Sequence, residues 1–382
     1  MTTSAAAPIP VSIDDAVNVA ILTVSEDQLE GFQRDPLGEI SRRSGVELEV
    51  VVERVRAMLR DGVIRRVRQT LVANKLAEGA LVAWRVPAER LNDAFDYLFE
   101  RDPFSGHVVI RSTDQDTAGA SYRLWTTLKV PQGYSVGRHC DYLAAQVGAE
   151  AYRLMQARAL FTLGVGHLRR RGMPPGSRVD APADVVTAEV VELDAREWGV
   201  LTALKRDFEP EEIIPDLWRA RAQEASVALD DFYEVADSLQ RRGAMGRFST
   251  FLEHVKPLTD GQRVTRYNAL FHWKVPRGLE LEAGREVGRH DIMTHAYWRD
   301  TGPEFGDVNI MGVAHSGSDR EFILAHKAAI DTHLEAAGIS VAYTNVFWGG
   351  RSEIKPSEIT PVAYSEWCRS VGVDPEQMRA AD

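Results

Sequence analysis

The sequence predicts an α+β protein built twice over, and three observations carry that expectation. First, ALVAWRVP (80–87) and ALFHWKVP (269–276) share five of eight residues, with Arg85 exchanged for Lys274. Second, the same succession of apolar spacings surrounds each phrase, helical upstream and mainly strand-like downstream. Third, RRRGMPPGSRVDAPADVVTA (169–188) is a Pro/Gly-rich stretch that separates the two copies. A fixed internal repeat of this kind makes each half one structural unit.

Upstream of each phrase, short helices are expected at 36–43 and 212–222, followed by longer amphipathic ones at 46–59 and 226–239. Next come DGVIRRVRQTLVANK (61–75) and RGAMGRFSTFLEHVK (242–256), in which Arg66 and Arg247, Leu71 and Leu252, and Lys75 and Lys256 fall in step. Helix, turn, longer helix and strand make a degenerate winged helix-turn-helix. Downstream, strands are expected at 106–112 and 292–299, each carrying His-x-x-x-Arg, and at 121–130 and 306–315. Helices at 135–148 and 318–338 and strands at 158–167 and 340–349 complete a βαββαβ, ferredoxin-like order in each half. The expected organisation is a flexible tail (1–12), a helix-turn-helix domain (13–76), a ferredoxin-like domain (77–168) and a linker (169–188). A second pair of domains (189–257 and 258–350) and a C-terminal extension (351–382) follow. The two ferredoxin-like sheets are expected to pack as an internal pseudo-dimer, with which a homo-oligomer is compatible.

Composition narrows the function. The chain has 382 residues, 44% hydrophobic and 26% charged, which suits a soluble globular protein. No apolar run is long enough to span a bilayer. The opening MTTSAAAPIPVS lacks a basic segment followed by an apolar one, and Cys140 and Cys368 form no metal or disulfide pattern. A cytoplasmic location is expected. The net charge is −11, whereas affinity for DNA needs concentrated Lys and Arg. The second long helix carries Asp230, Asp231, Glu234 and Asp237 and no Lys or Arg between 226 and 239. The first sets Glu47, Glu49 and Glu53 against Arg54, Arg56 and Arg60. Acidic groups facing phosphates repel them, so DNA is not the expected partner and these helices are expected to serve as packing elements. Phosphate-loop, zinc-protease, dinucleotide-binding and nucleophile-elbow motifs are absent.

The layout resembles the Lrp/AsnC family, with two subunits fused. Within that superfamily the chain resembles the siroheme decarboxylases. GVIRRVRQTLVANKL (62–76) and GRFSTFLEHVK (246–256) are similar to their Arg-rich strand with a following His and Lys. ALVAWRVPAER (80–90) and NALFHWKVP (268–276) resemble the first ferredoxin strand, and MTHAYWRD (293–300) resembles the His-x-Tyr-x-Arg motif as His295, Tyr297 and Arg299. The first copy departs from the pattern at Val109 and Ala73, and the second at Gly246. The pattern's Tyr-Asn-Leu stands as Tyr122-Arg123-Leu124 and Val308-Asn309-Ile310. These departures imply one working site centred on the second half.

The resemblance implies a carboxy-lyase that removes CO2 from siroheme acetate groups, on the way to heme or heme d1. An anionic, flat tetrapyrrole calls for cations, apolar walls and an axial ligand for iron. The repeated strands supply Arg65, Arg66, Arg68, Arg111, Arg247 and Arg299, with Trp84, Trp125, Trp273 and Trp298 nearby in sequence. Strand alternation places His295, Tyr297 and Arg299 on one face. His295 is the candidate acid or axial iron ligand, and Tyr297 is expected to assist proton transfer. Arg299, Arg247, Arg66, Arg65, Arg111, His107 and His254 are the expected substrate-binding residues. His272 and His315 are further candidates for the pocket wall. Trp84 and Trp273 also suit the core, and His139, His167, His290, His326 and His333 suit surface or packing positions. No cofactor beyond the iron tetrapyrrole is called for. Two other readings stay open: heme retained as a cofactor for chemistry on another small molecule, and a regulator or tetrapyrrole sensor.

Overall fold

The computed structural model describes residues 9–163, 172–187, 190–254, 256–259, 261 and 263–380. The end of the expected strand 158–167, His167 and parts of the 169–188 linker lie outside the described residues. The fold is mixed α+β and divides into two compact units. Among the described residues, one comprises 9–72, 192–254, 256–259, 261 and 263–264; the other comprises 73–163, 172–187, 190–191 and 265–380. Each unit therefore draws on both halves of the chain. Among the described residues, no helix is long and apolar enough to cross a membrane.

The first unit holds two helical triplets: Ala16–Ser25, Pro36–Ser44 and Leu48–Asp61, then Ala195–Lys205, Leu217–Glu224 and Leu229–Arg241. Pro36 opens its helix where no amide hydrogen is needed, and the Asp35 carboxylate accepts from the Gly38 amide. Leu48–Asp61 buries Val51, Val52, Val55 and Met58, and Leu229–Arg241 buries Phe232, Val235, Ala236 and Leu239. This is the three- and four-residue spacing read from the sequence. A strand follows each triplet, Ile64–Leu71 and Met245–Leu252, and the two pair antiparallel with each other. The expected short wings are absent as separate hairpins among the described residues. A lone strand leaves a row of amide and carbonyl groups unpaired, and here each strand satisfies its row against the other. Leu29–Glu30 covers the far side of Met245–Leu252.

The second unit is built on eight long strands: β1 (Ala77–Arg85), β2 (Ser105–Ser112), β3 (Leu124–Pro131), β4 (Ala151–Leu163), β5 (Tyr267–Lys274), β6 (Met293–Arg299), β7 (Ile310–Ser316) and β8 (Tyr343–Ile354). The first four run in the order β2-β3-β1-β4 and the last four in the equivalent order β6-β7-β5-β8. The pairings β8–β2 and β4–β6 join the two sets, so the expected pair of packed sheets is one closed eight-strand barrel. Closure removes both free edges of each four-stranded sheet. It also explains why the fourth strands exceed the sequence expectation. β4 begins at Ala151 because residues 151–156 pair with β1 before its end meets β6, and β8 runs on to Ile354 to reach β2.

Helices cover the outside of the barrel. Leu91–Glu100, Val136–Val147 and Pro361–Ser370 pack over Trp84, and Glu280–Gly288 with Arg320–Ala336 packs over Trp273. The two tryptophans of the repeated phrase are fully buried, their indole nitrogens donating to Thr126 and Asp331. Both are core residues, because strand alternation turns them toward the helices. The opposite parity fills the barrel, where Ala83, Val109, Trp125, Met155, Leu270, Met311 and Phe347 share one apolar cluster.

Candidate functional site

The site candidates divide between the units. Arg65, Arg66, Arg247 and His254 belong to the helical unit, whereas His107, Arg111, His295, Tyr297 and Arg299 belong to the barrel unit. In the helical unit, Arg66 and Arg68 share Asp207, at 3.4 and 3.6 Å. Burial, reinforced by Arg66, lowers Arg65 to about 10. Burial also lowers Arg247, whose Nε donates to the Glu26 carbonyl at 3.2 Å, and His254 Nδ1 lies 3.2 Å from the Leu252 carbonyl. The cations of the Arg-rich strand are thus held partly desolvated at the strand pair.

The barrel interior holds the denser arrangement. β6 carries His295, Tyr297 and Arg299 in succession on its inner face. The His295 and Tyr297 rings stack at 6.0 Å with an interplanar angle of 13°, and the Arg299 guanidinium lies 4.5 Å from the Tyr297 ring centroid. Arg299 Nη1 donates to the Met155 carbonyl. Burial lowers the Arg299 pKa and raises that of Tyr297, each against the stabilising influence of the other.

A hydrogen-bonded series connects the second histidine motif to the first-half arginine. Arg111 Nη1 donates to Asn268 Oδ1 at 2.9 Å, and Asn268 Nδ2 lies 2.7 Å from His315 Nε2. His315 Nδ1 is 3.1 Å from the Thr294 hydroxyl, which is 3.2 Å from His295 Nδ1. Asn268 donates through its amide nitrogen, so His315 Nε2 accepts and His315 Nδ1 carries the proton when the ring is neutral. The absence of a side chain at Gly349, the cross-strand partner of Arg111, makes room: a Cβ there would stand 3.1 Å from the Asn268 Cβ. His107 instead meets Ser352 on β8, Nε2 to Oγ 2.8 Å.

Two interior groups stand out by charge and solvation. Lys129 shares the inward parity of Trp125, and its ammonium meets Asn74 Oδ1. It extends over its cross-strand partner Gly79, where a Cβ would lie 2.2 Å from Nζ. The surrounding protein and the Arg299 charge lower Lys129 to about 7. Among the described residues, neither ring nitrogen of the fully buried His272 has a hydrogen-bond partner, and burial with nearby Arg111 depresses this imidazole to about 3. Arg111, itself lowered to about 10 by burial, Arg299 and Lys129 form no ion pair with a carboxylate among the described residues. Buried cations without counter-ions are costly unless an anion completes them.

The structure therefore brings His295, Tyr297, Arg299, Arg111 and His107 into one barrel, together with the pocket candidates His272 and His315. Of the four tryptophans proposed as walls, Trp125 lines the interior, and Trp84 and Trp273 pack outside it. Trp298 is half-buried against the outer cluster. Sequence reading missed Lys129, Asn268 and Thr294. The inward series Trp125, Thr127, Lys129 was the available signal for the lysine. Asn268 and Thr294 carry no short-range signal, because their role comes from partners on other strands.

Comparison with known proteins places this geometry among relatives. A family model described as an AsnC-like ligand binding domain matches residues 76–162. The siroheme decarboxylase NirDL subunit of Paracoccus denitrificans (strain Pd 1222) is 25% identical over 304 residues, covering 77% of this chain and 85% of its own length. The crystal structure of the siroheme decarboxylase NirDL superposes with a TM-score of 0.65 at 16% identity, over 94% of this chain and 98% of that one. The structure of NirDL in co-complex with an iron-uroporphyrin III analogue gives 0.63 at 15%, over 93% and 99%. The siroheme decarboxylase resemblance read from the sequence is borne out by these similarities.

Proposed function

We infer that this chain is a siroheme decarboxylase, a carboxy-lyase of the branch that leads to heme d1, working as a fused pair of Lrp/AsnC-like halves. The sequence relative carries that name over most of both chains. The observation that supports the same chemistry from the residues themselves is a set of cations on the inner face of the barrel, the buried Arg111 and Arg299 and the half-buried Lys129, without carboxylate partners among the described residues. Acetate and propionate groups of an iron tetrapyrrole are the anions such a set would hold.

In this reading Arg111 and Arg299 of the barrel fix carboxylates of the substrate, and Arg65, Arg66 and Arg247 stay proposed as carboxylate-binding residues of their own unit. Fixing them decides which acetate is oriented for reaction. Cleavage of the bond between the acetate methylene and its carboxylate releases CO2 and leaves the electron pair in the conjugated ring. A proton then adds at the methylene carbon, turning it into a methyl group, so one proton is consumed per CO2. His295 and Tyr297, stacked and linked to the His315–Asn268 series, are the residues proposed to deliver it. His295 is equally placed by type to ligate the iron of the substrate. His107 and His254 are proposed as further substrate contacts. The tetrapyrrole is the substrate here, and no separate cofactor enters the step.

The same reading treats 13–76 and 189–257 as duplicated helix-turn-helix segments and 77–168 and 258–350 as duplicated ferredoxin-like segments. It makes 1–12 a tail, 169–188 a linker, 351–382 an extension, and the barrel an internal pseudo-dimer. The equivalent strand orders of the two halves support it. The deciding experiment is anaerobic incubation of the purified chain with siroheme, followed by mass spectrometry. Successive losses of CO2 are expected. Siroheme that stays bound and unchanged through the incubation rules the activity out. A Soret band that persists while another substrate turns over would point instead to a retained heme.

A further inference from the structure

On the outer helices of the barrel unit, Glu286, His290 and His333 bring one ligand atom each within 4.8 Å of one another. Glu286 lies in the helix Glu280–Gly288, His290 follows it by four residues, and His333 stands in the last turn of Arg320–Ala336. His290 is buried and the other two are half-buried.

The hydrogen bonds settle one tautomer. His290 Nδ1 lies 2.8 Å from the backbone carbonyl of Glu286, which can only accept, so Nδ1 carries the proton. The lone pair of His290 Nε2 therefore faces His333 Nδ1, 2.7 Å away, with the two rings stacked at 5.0 Å. A carbonyl bond to the distal nitrogen is the device that orients metal-binding histidines. His333 Nδ1 donates a proton to His290 in the absence of metal, and a cation can replace that proton with a small separation of the rings. The Glu286 carboxylate forms ion pairs with Arg178 and with Arg289, the latter at 3.2 Å. Its two oxygens offer about four lone-pair sites, so both guanidiniums can remain as outer donors while one site binds a cation. Their charges oppose a second cation nearby and hold the affinity below that of thiolate-rich structural sites.

We propose that Glu286, His290 and His333 form a binding site for a divalent transition-metal ion of the zinc class, with water completing the coordination. Two imidazoles and one carboxylate suit Zn(II) and Co(II) by donor type and number. The residues belong to the second half, outside the barrel interior, so the site is separate from the decarboxylation site proposed above.

The test uses the full-length untagged chain, stripped with chelator and free of tetrapyrrole. Co(II) is titrated in and followed by its visible ligand-field absorption and by calorimetry, then displaced with Zn(II). One saturating equivalent with tetrahedral-type absorption is expected. His333→Ala and, separately, Glu286→Gln should each weaken binding by at least ~10-fold. Circular dichroism checks the fold of each variant. If His333→Ala fails to fold, the Glu286→Gln variant and the wild-type titration still decide. No saturable absorption in the folded wild-type chain overturns the site, as does full-strength binding in both variants.

Discussion

Strands β2 and β6 occupy equivalent places in the barrel and carry the same frame with different chemistry. His107, Val109 and Arg111 on β2 stand where His295, Tyr297 and Arg299 stand on β6, and the register confirms the match: Val109 pairs with Trp125, and Tyr297 pairs with Met311. Both arginines are buried and each reaches a carbonyl on the neighbouring strand from the other half, Arg111 that of Phe347 and Arg299 that of Met155. The histidines differ. His295 is stacked on Tyr297 and joined through Thr294 and His315 to Asn268, whereas His107 meets Ser352. The pair teaches that the two halves share a buried arginine and that only the second has a phenol beside its imidazole. Under the proposed function, anion binding is then assigned to the whole barrel, and proton delivery to β6.

The largest expected effect tests that asymmetry directly. His295→Ala should reduce siroheme turnover by about 100-fold or more, the scale of a lost general acid, while His107→Ala should keep most of it. Equal losses, measured as kcat in parallel anaerobic assays, would mean two working sites or one shared site. Next in size is the arginine pair. Arg111→Met and Arg299→Met should each raise KM by roughly 10- to 100-fold, the equivalent of the ~1.5–3 kcal/mol of a charge-assisted hydrogen bond. A change in only one of them would break the symmetry assigned to anion binding.

Tyr297→Phe removes the hydroxyl and keeps the stack, so kcat should fall by ~10-fold with KM little changed. Installing the hydroxyl in the first half, Val109→Tyr, should not restore activity to a His295→Ala chain, because His107 lacks the Thr294–His315 connection. Recovery of turnover in that double variant would show that the phenol alone distinguishes the halves.

The smallest effect is on stability. Lys129 is depressed to about 7 by its surroundings and by Arg299, while the unfolded chain keeps it charged to about 10.4. Between those values the folded protein binds fewer protons than the unfolded one, so stability rises with pH across this window. The penalty for holding the charged lysine is fully present below pH ~7. Thermal unfolding from pH 7 to 10 should therefore climb in the wild type relative to Lys129→Met. A bound polyanionic tetrapyrrole should flatten the difference by stabilising the charged form. Parallel curves without ligand would show that Lys129 is not desolvated.

Several features were legible because they are local. Apolar spacing located the long helices of the first unit to within a few residues, as Val51, Val55 and Met58 or Phe232, Val235 and Leu239 show. Strand alternation put His295, Tyr297 and Arg299 on one face, and the repeated phrase placed Trp84 and Trp273 at equivalent positions. The short helices Ala16–Ser25 and Ala195–Lys205 were not anticipated, since ten or so residues of mixed polarity present a weak pattern until something packs against them.

The residues by themselves determined the two-fold succession of elements, the acidic surface that argues against DNA, and the identity of the cations and histidines available to a site. Tertiary structure alone decided that the two sheets close edge to edge, that Arg111 of one half meets Asn268 and His315 of the other, and that Lys129 crosses Gly79 toward Arg299. The reason is physical. Periodicity records which side of its own strand a residue faces, but pairing between strands far apart in the sequence depends on satisfying every edge amide at once and on where glycine leaves room. No short stretch of sequence encodes that condition.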